Sequence, residues 1–217
     1  MKKLNSDFRF NFNRFLFLLT LILLCLLSQN KAFSYMIKYK EDYYKLFHVH
    51  YQQAPDDCIE NIYWLEKAAK ADFVNPLYVD FKINDEKEWE KYRYLFMMHI
   101  NLKLIEQHMR LGRIYDKQVA HFYDQPWTDL YIENLNKSLT CYKAGLAYWQ
   151  EASLWAEKAN TSKFRFLILT PIQNWEDERE RIGNGELDYE KILNREIKRV
   201  QKVIADFEAL KENKDAY

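Results

Sequence analysis

Apolar side chains recur at three- and four-residue steps along most of the chain, which is the spacing of one face of an α-helix. The clearest run lies between Asp85 and Gly112, where the stripe consists of Trp89, Tyr92, Phe96, His99, Leu102, Ile105 and Met109. The same spacing predicts five further helices, over residues 35–53, 57–75, 128–160, 171–184 and 188–211. The pattern therefore predicts a predominantly helical chain.

Local signals predict where several of these helices begin and end. An acidic residue three positions before a glutamate can cap a first turn, because its side chain accepts a hydrogen bond from a backbone N–H that has no partner within the helix. Two such pairs occur, Asp57 with Glu60 and Asp85 with Glu88. Thr170 followed by Pro171 predicts a further start. Gly112 and the Asn184-Gly185 pair predict helix ends.

The segment over residues 128–160 exceeds the usual length of a globular helix. We expect either a break within it or an unusually long member of an antiparallel hairpin. Residues 77–84 alternate apolar and polar side chains, but a single strand has no partner with which to form a sheet. We therefore predict an irregular linker there.

These elements predict an all-α fold of antiparallel helix pairs. The chain has only four glycines and four prolines, fewer than a β-sandwich or barrel with many tight turns requires. Two arrangements remain open at this stage, a short superhelical stack of the tetratricopeptide type and an irregular helical bundle.

The N-terminus has the organisation of a secretory signal peptide. The apolar run over residues 15–27 follows four basic residues and precedes the small-residue triplet Ala32-Phe33-Ser34. We predict that residues 1–34 are cleaved, which exports a single domain of residues 35–217 to the periplasm. Two alternatives are an uncleaved membrane anchor and lipid attachment at Cys25. The protein is expected to contact the membrane only through this N-terminal segment, if the segment is not cleaved.

Charge excludes one class of partner. Residues 1–34 carry five of the 32 basic residues and one of the 32 acidic residues, which leaves a formal net charge of −4 on residues 35–217. A mildly acidic surface with interspersed signs lacks the basic stripe that neutralises phosphates. Nucleic-acid binding is therefore not expected.

Two cysteines remain after cleavage, Cys58 and Cys141. In an oxidising compartment they can form a disulfide that closes a long loop. Each also lies among apolar neighbours in a helical pattern, where a free cysteine packs as a small apolar residue. The sequence leaves both possibilities open.

The sequence lacks a recognisable catalytic or metal-binding motif. His48 and His50 are two positions apart and point in different directions on a helix, so they cannot share a metal ion. His99 is interpreted as a hydrogen-bonded core imidazole. The acidic residues between Glu176 and Glu180 alternate with arginines, which is typical of a solvated, salt-bridged helix face. We predict neither an enzyme nor a bound cofactor.

An aromatic connection between the third and fourth predicted helices is the best sequence candidate for a binding surface. Its candidate anchors are Tyr115, Phe122, Tyr123 and Trp127, around a proline that interrupts any helix. Long ordered loops are often functional. The alternative is that these rings fold back as a lid over the helix pairs.

Two helix endings resemble those of tetratricopeptide repeats. They are EKAAKADFVNPLY, over residues 66–78, and WQEASLWAEKA, over residues 149–159, although Phe73 stands where the repeat usually has a turn proline. With the signal segment and the long helix that follows Asp85, they make the chain similar to the periplasmic flagellar-motor collar proteins of spirochaetes.

The resemblance implies a non-catalytic exported scaffold that binds other periplasmic proteins, including collar subunits, and contributes to motility. The alternative is a small-ligand-binding accessory protein of a transport or envelope system, which uses a groove between its helices for an apolar molecule.

Overall fold

The structure is a computed structural model that describes Thr20 and residues 37–117 and 127–215. These residues form six α-helices packed in a bundle: α1 (Lys40–Gln53), α2 (Cys58–Lys70), α3 (Glu86–Lys117), α4 (Thr128–Ala159), α5 (Gln173–Gly183) and α6 (Tyr189–Asp215). The described part of the chain contains no β-strand, only an isolated bridge between Tyr39 and Asp72. The predicted all-α fold is confirmed.

The signal peptide predicted over residues 1–34 lies outside the described residues apart from Thr20. No helix within the described ranges combines the length and the apolar character that crossing a bilayer requires.

Successive long helices pack against each other as antiparallel neighbours. In the α1–α2 hairpin, Lys40 near the start of α1 donates to the carbonyl of Ala69 at the end of α2. In the α3–α4 hairpin, the Tyr94 ring packs at a tilt against Trp155, and the His108 ring stacks on Tyr148. Helix α6 then returns along α4. The core lies where α3 and α4 meet the four other helices.

The helix lengths correspond to an irregular bundle. Helices α1 and α2 have 14 and 13 residues, as expected of a repeat hairpin, but α3 and α4 have 32 residues each. A tetratricopeptide unit of about 34 residues holds both of its helices, so neither α3 nor α4 fits one unit. Of the two predicted outcomes for residues 128–160, the long hairpin member is observed.

The prediction that the third helix ends at Gly112 is wrong. Helix α3 continues to Lys117 because this glycine lies at a close approach to α4. A Cβ atom at Gly112 would lie 2.8 Å from Cε1 of the fully buried Tyr142 ring. The missing side chain therefore accommodates helix packing and does not end the helix.

Replacing Gly112 by Ala is expected to lower the free energy of unfolding by about 1–2 kcal/mol, because overpacking of the Tyr142 ring outweighs the better helix propensity of alanine. Chemical denaturation measures this change. Gly183→Ala is the matched control, since a Cβ there meets nothing nearer than 3.9 Å. Equal effects of the two substitutions would show that Gly112 is not packed as described.

The starts predicted at Asp57 and Asp85 and the end predicted at Asn184-Gly185 are confirmed, whereas α2 ends at Lys70, before the predicted end at residue 75. The Asp57 side chain accepts from the Glu60 backbone N–H at 3.1 Å, and Asp85 does the same for Glu88 at 2.8 Å. Gly185 follows α5 with a φ of 73°, a left-handed conformation that glycine adopts at low cost.

The start predicted at Thr170 is wrong in detail. Residues Thr170–Ile172 form a 3₁₀ turn without a side-chain cap, and α5 begins at Gln173. Residues 79–84 are irregular as predicted, whereas residues 77 and 78 belong to a 3₁₀ turn over Pro76–Tyr78.

Candidate functional site

The aromatic connection is only partly described. Tyr115 lies in the last turns of α3, where the Lys137 ammonium sits 5.9 Å from the centre of its ring. Trp127 immediately precedes α4, is 43% exposed and makes an edge contact with Tyr131. Phe122 and Tyr123 lie outside the described residues. A binding role for this connection stays a prediction.

The disulfide considered for Cys58 and Cys141 is not formed. Both residues are buried and free, which corresponds to the alternative of small apolar core residues. Burial raises the pKa of the Cys141 thiol to about 11 and also raises the pKa of Cys58. Because the reactive form is the thiolate, both side chains are poor nucleophiles at neutral pH.

Two of the four acidic residues of α5 depart from the solvated surface that the sequence predicted, namely Glu176 and Glu178, whereas Asp177 and Glu180 are exposed as predicted. Glu176 is 5% exposed and pairs with Lys91 of α3 at 2.5 Å. Glu178 pairs with His99 of α3, also at 2.5 Å. For these two residues the prediction was wrong because α5 lies across the N-terminal half of α3, which buries the Glu176 side chain and leaves the Glu178 side chain 20% exposed.

The Lys91–Glu176 pair anchors the loop between α4 and α5 to α3. The Lys91 ammonium also donates to the carbonyl oxygen of Leu167. The second partner of the pair, Glu176, accepts from the Leu169 backbone N–H and from Nε of Arg179, both at 3.4 Å. These bonds fix the backbone around residues 167–169 in one position.

A chain of hydrogen bonds runs through His99. Its Nδ1 lies 2.5 Å from the Glu178 carboxylate, and its Nε2 lies 2.6 Å from the hydroxyl of Tyr44 in α1. The imidazole stacks on Trp175 at 4.9 Å between ring centres. The interpretation of His99 as a hydrogen-bonded core imidazole is confirmed, but its partners come from 55 and 79 residues away and were not predicted.

A pocket of about 230 Å³ opens beside this chain of bonds. We call it the aromatic pocket; its walls include the rings of Tyr44, Tyr78, Phe81, Tyr92, Phe96 and Trp175. The Glu41 carboxylate also lines it, and accepts from the Val74 N–H at 3.0 Å and the Tyr92 hydroxyl at 3.3 Å. Burial raises the pKa of Glu41 and those of Tyr44 and Tyr92.

The most exposed large apolar side chains lie on two loops, before α3 and after α4. Phe166 is 92% exposed, Leu77 85%, Tyr78 75% and Ile168 66%. We call these four residues the loop surface.

Both loops are fastened to the first two turns of α3. Phe81 of the first loop packs edge-on against Tyr92, and Lys163 of the second loop pairs with Glu90. The two loops therefore lie at the same end of the long α3–α4 hairpin.

The Tyr44 hydroxyl keeps its proton because burial and the nearby Glu178 carboxylate raise its pKa, so it is not an activated nucleophile. Among the side chains described for residues 37–117 and 127–211, no three of His, Cys, Asp or Glu are grouped so that they could hold a metal ion.

Comparison with known proteins gives one match. Residues 87–210 match the family described as Domain of unknown function (DUF8513), which covers α3, α4, α5 and most of α6. No curated protein and no solved structure matches the chain. Helices α1 and α2 precede the matched range, and α1 contributes Glu41 and Tyr44 to the aromatic pocket. The match extends over more than half of the chain's residues, so the chain belongs to the DUF8513 family.

Proposed function

We propose that the protein is a non-catalytic helical scaffold that binds another protein through the loop surface. The observation that carries this proposal is the exposure of four large apolar side chains on two loops at one end of the bundle. Single exposed apolar residues are ordinary, but a concentration of large ones is typical of a protein interface. Aromatic anchors such as Phe166 and Tyr78 contribute most to such interfaces.

The fixed backbone beneath these side chains supports the proposal. Lys91 holds the Leu167 carbonyl, between Phe166 and Ile168, and the Asn75 side chain caps the turn that carries Leu77 at 3.0 Å. A surface that is held in its binding conformation loses less conformational entropy when a partner docks. The loop surface is therefore preorganised for contact.

The assembly in which this scaffold takes part is proposed from the resemblance. The two tetratricopeptide-like helix endings and the N-terminal signal segment support export to the periplasm and a place in the flagellar-motor collar. Its partners there are other periplasmic proteins, including collar subunits. Loss of the protein is then expected to impair motility.

Combining Leu77→Ser with Phe166→Ser is expected to reduce the yield of chemically cross-linked partner in cells at least tenfold, because both anchors are lost. Mass spectrometry of the cross-linked species identifies the partner, and motility on soft agar reports the effect on the flagellar motor. Thermal unfolding should change little, since both side chains are exposed.

Ile59→Ser combined with Leu154→Ser is the matched control. These side chains are also exposed, but Ile59 lies near the opposite end of the bundle and Leu154 lies within α4. Partner capture that persists in the loop-surface variant, or is lost equally in the control, would contradict the proposal. Normal motility together with lost capture would contradict the flagellar assignment alone.

The aromatic pocket favours a second candidate, a small-ligand-binding accessory protein. A concave, mostly apolar site with a few polar groups is the usual form of a small-molecule site. Protein that is purified under native conditions and analysed by mass spectrometry distinguishes the two functions. A retained small molecule without any captured protein favours this candidate over the scaffold.

A further inference from the structure

Two tyrosine hydroxyls that line the aromatic pocket, those of Tyr44 and Tyr92, already donate hydrogen bonds within the protein. Nδ1 of His99 lies 2.5 Å from the Glu178 carboxylate and Nε2 lies 2.6 Å from the Tyr44 hydroxyl. With the ring proton on Nδ1, where it donates to Glu178, Nε2 accepts from the hydroxyl of Tyr44. The Tyr92 hydroxyl donates to Glu41. Each tyrosine oxygen can then only accept a further hydrogen bond. A ligand that meets these atoms must supply the donor.

The charges that line the pocket have a negative balance. The Glu41 residue of the lining is buried. Asp80 and Lys45 form an ion pair at 2.9 Å, and both of their side chains are more than half exposed. Burial lowers the pKa of His48, which keeps this imidazole uncharged at neutral pH. The pocket lining therefore contains two carboxylates, Glu41 and Asp80, and one ammonium group, that of Lys45.

Lys40, which is adjacent to Glu41 in sequence, does not line the pocket. Its ammonium group donates to the backbone carbonyls of Ala68 and Ala69, at 3.3 and 2.5 Å. The carboxylate of Glu41 is thus held by one backbone N–H and one hydroxyl, without a direct ion pair in the described structure. It retains accepting capacity for a ligand.

The aromatic rings of the pocket also favour a cationic ligand. The faces of tryptophan, tyrosine and phenylalanine carry negative electrostatic potential and attract a cation within about 6 Å of the ring centre. An anionic ligand would be repelled by Glu41 and by the rings. A neutral ligand without donors would leave the acceptors of Tyr44 and Tyr92 without partners, which costs affinity.

We propose that the aromatic pocket binds a protonated organic amine with a short apolar body. The ammonium group donates to Glu41 and to the tyrosine oxygens, and the apolar body packs against the rings of Phe81, Phe96 and Trp175. A volume of about 230 Å³ suits a ligand of this size. Tyr78 belongs to both the pocket wall and the loop surface, but the atoms that would hold the ammonium group come from Glu41, Tyr44 and Tyr92, which are not part of the loop surface. Amine binding therefore does not depend on a protein partner there.

Calorimetric titration of the full-length protein with three compounds tests the proposal. The probes are 2-phenylethylamine, which is protonated at pH 7, the neutral 2-phenylethanol and the anionic 3-phenylpropionate. We expect the amine to bind at least tenfold more tightly than the alcohol, and the carboxylate to show no binding. Absence of amine binding, or equal affinity for amine and alcohol, would overturn the proposal.

Substitutions identify the site. Glu41→Gln is expected to weaken amine binding at least tenfold, whereas the control Glu66→Gln is expected to leave it unchanged. Glu66 is a suitable control because it also accepts from a tyrosine, Tyr148, at 3.0 Å but does not line the pocket. Unchanged affinity in the Glu41→Gln protein would overturn the assignment.

A second pair of variants applies if Glu41→Gln does not fold. Tyr44→Phe removes one acceptor and is expected to weaken amine binding about three- to tenfold, and Tyr148→Phe is its control. Equal amine affinity in these two proteins would overturn the proposal. Partner capture through Phe166 and Leu77 is a separate readout, so failure of amine binding leaves the scaffold function standing.

Discussion

Replacing Lys91 by Met is expected to lower the free energy of unfolding by about 3–5 kcal/mol, because breaking a buried ion pair leaves one charge without its partner. The substitution leaves the Glu176 carboxylate buried without its ammonium partner at 2.5 Å. It also removes the donor to the Leu167 carbonyl. Denaturant titration that is followed by far-ultraviolet circular dichroism measures the change.

A double-variant cycle separates the pair from the loss of either side chain. Combining Lys91→Met with Glu176→Gln is expected to be less destabilising than the sum of the two single changes, because no uncompensated charge remains. Lys70→Met is the control, since Lys70 pairs with Glu66 at the surface and such pairs contribute about 1 kcal/mol or less. Strict additivity would contradict the buried pair.

Replacing Trp175 by Ala is expected to lower the free energy of unfolding by about 3–5 kcal/mol, because a large buried ring is lost and a cavity remains. This ring joins α5 to two other helices. It contacts Tyr44 of α1 at 6.2 Å and the α3 rings of Tyr92, Phe96 and His99 at 6.1, 5.6 and 4.9 Å. Thermal unfolding monitored by circular dichroism measures the loss.

Trp127→Ala is the matched control for this substitution. Trp127 is 43% exposed, against 8% for Trp175, and its ring contact is with Tyr131. We expect its removal to cost less than half as much stability as the removal of Trp175. If the two costs are equal, Trp175 does not hold α5 against α1 and α3 as described.

The helices were largely predictable because their determinants are local. Apolar spacing depends on residues three and four apart, and the capping of α2 by Asp57 depends on a contact three residues away. The exception at Gly112 shows the limit of local reasoning. Glycine both ends helices and permits close packing, and only the position of the Tyr142 ring distinguishes these roles.

The functional groups were not predictable because their contacts are distant in sequence. The Tyr44, His99 and Glu178 chain joins three helices over separations of 55 and 79 residues. The alternation of charges on α5 looks like a solvated face, and nothing local reveals that Glu176 and Glu178 pack against α3. Exposure of Phe166 and Leu77 also depends on tertiary packing, since an apolar residue in a loop is usually expected to be covered.

Site-specific photo-cross-linking in living cells tests most directly whether the loop surface binds a protein. A photo-reactive amino acid replaces Phe166 in one strain and Ile59, near the opposite end of the bundle, in another. We expect a discrete cross-linked protein from position 166 and none from position 59. Cross-linking from position 59 alone, or from neither position, would contradict the scaffold function proposed for this surface.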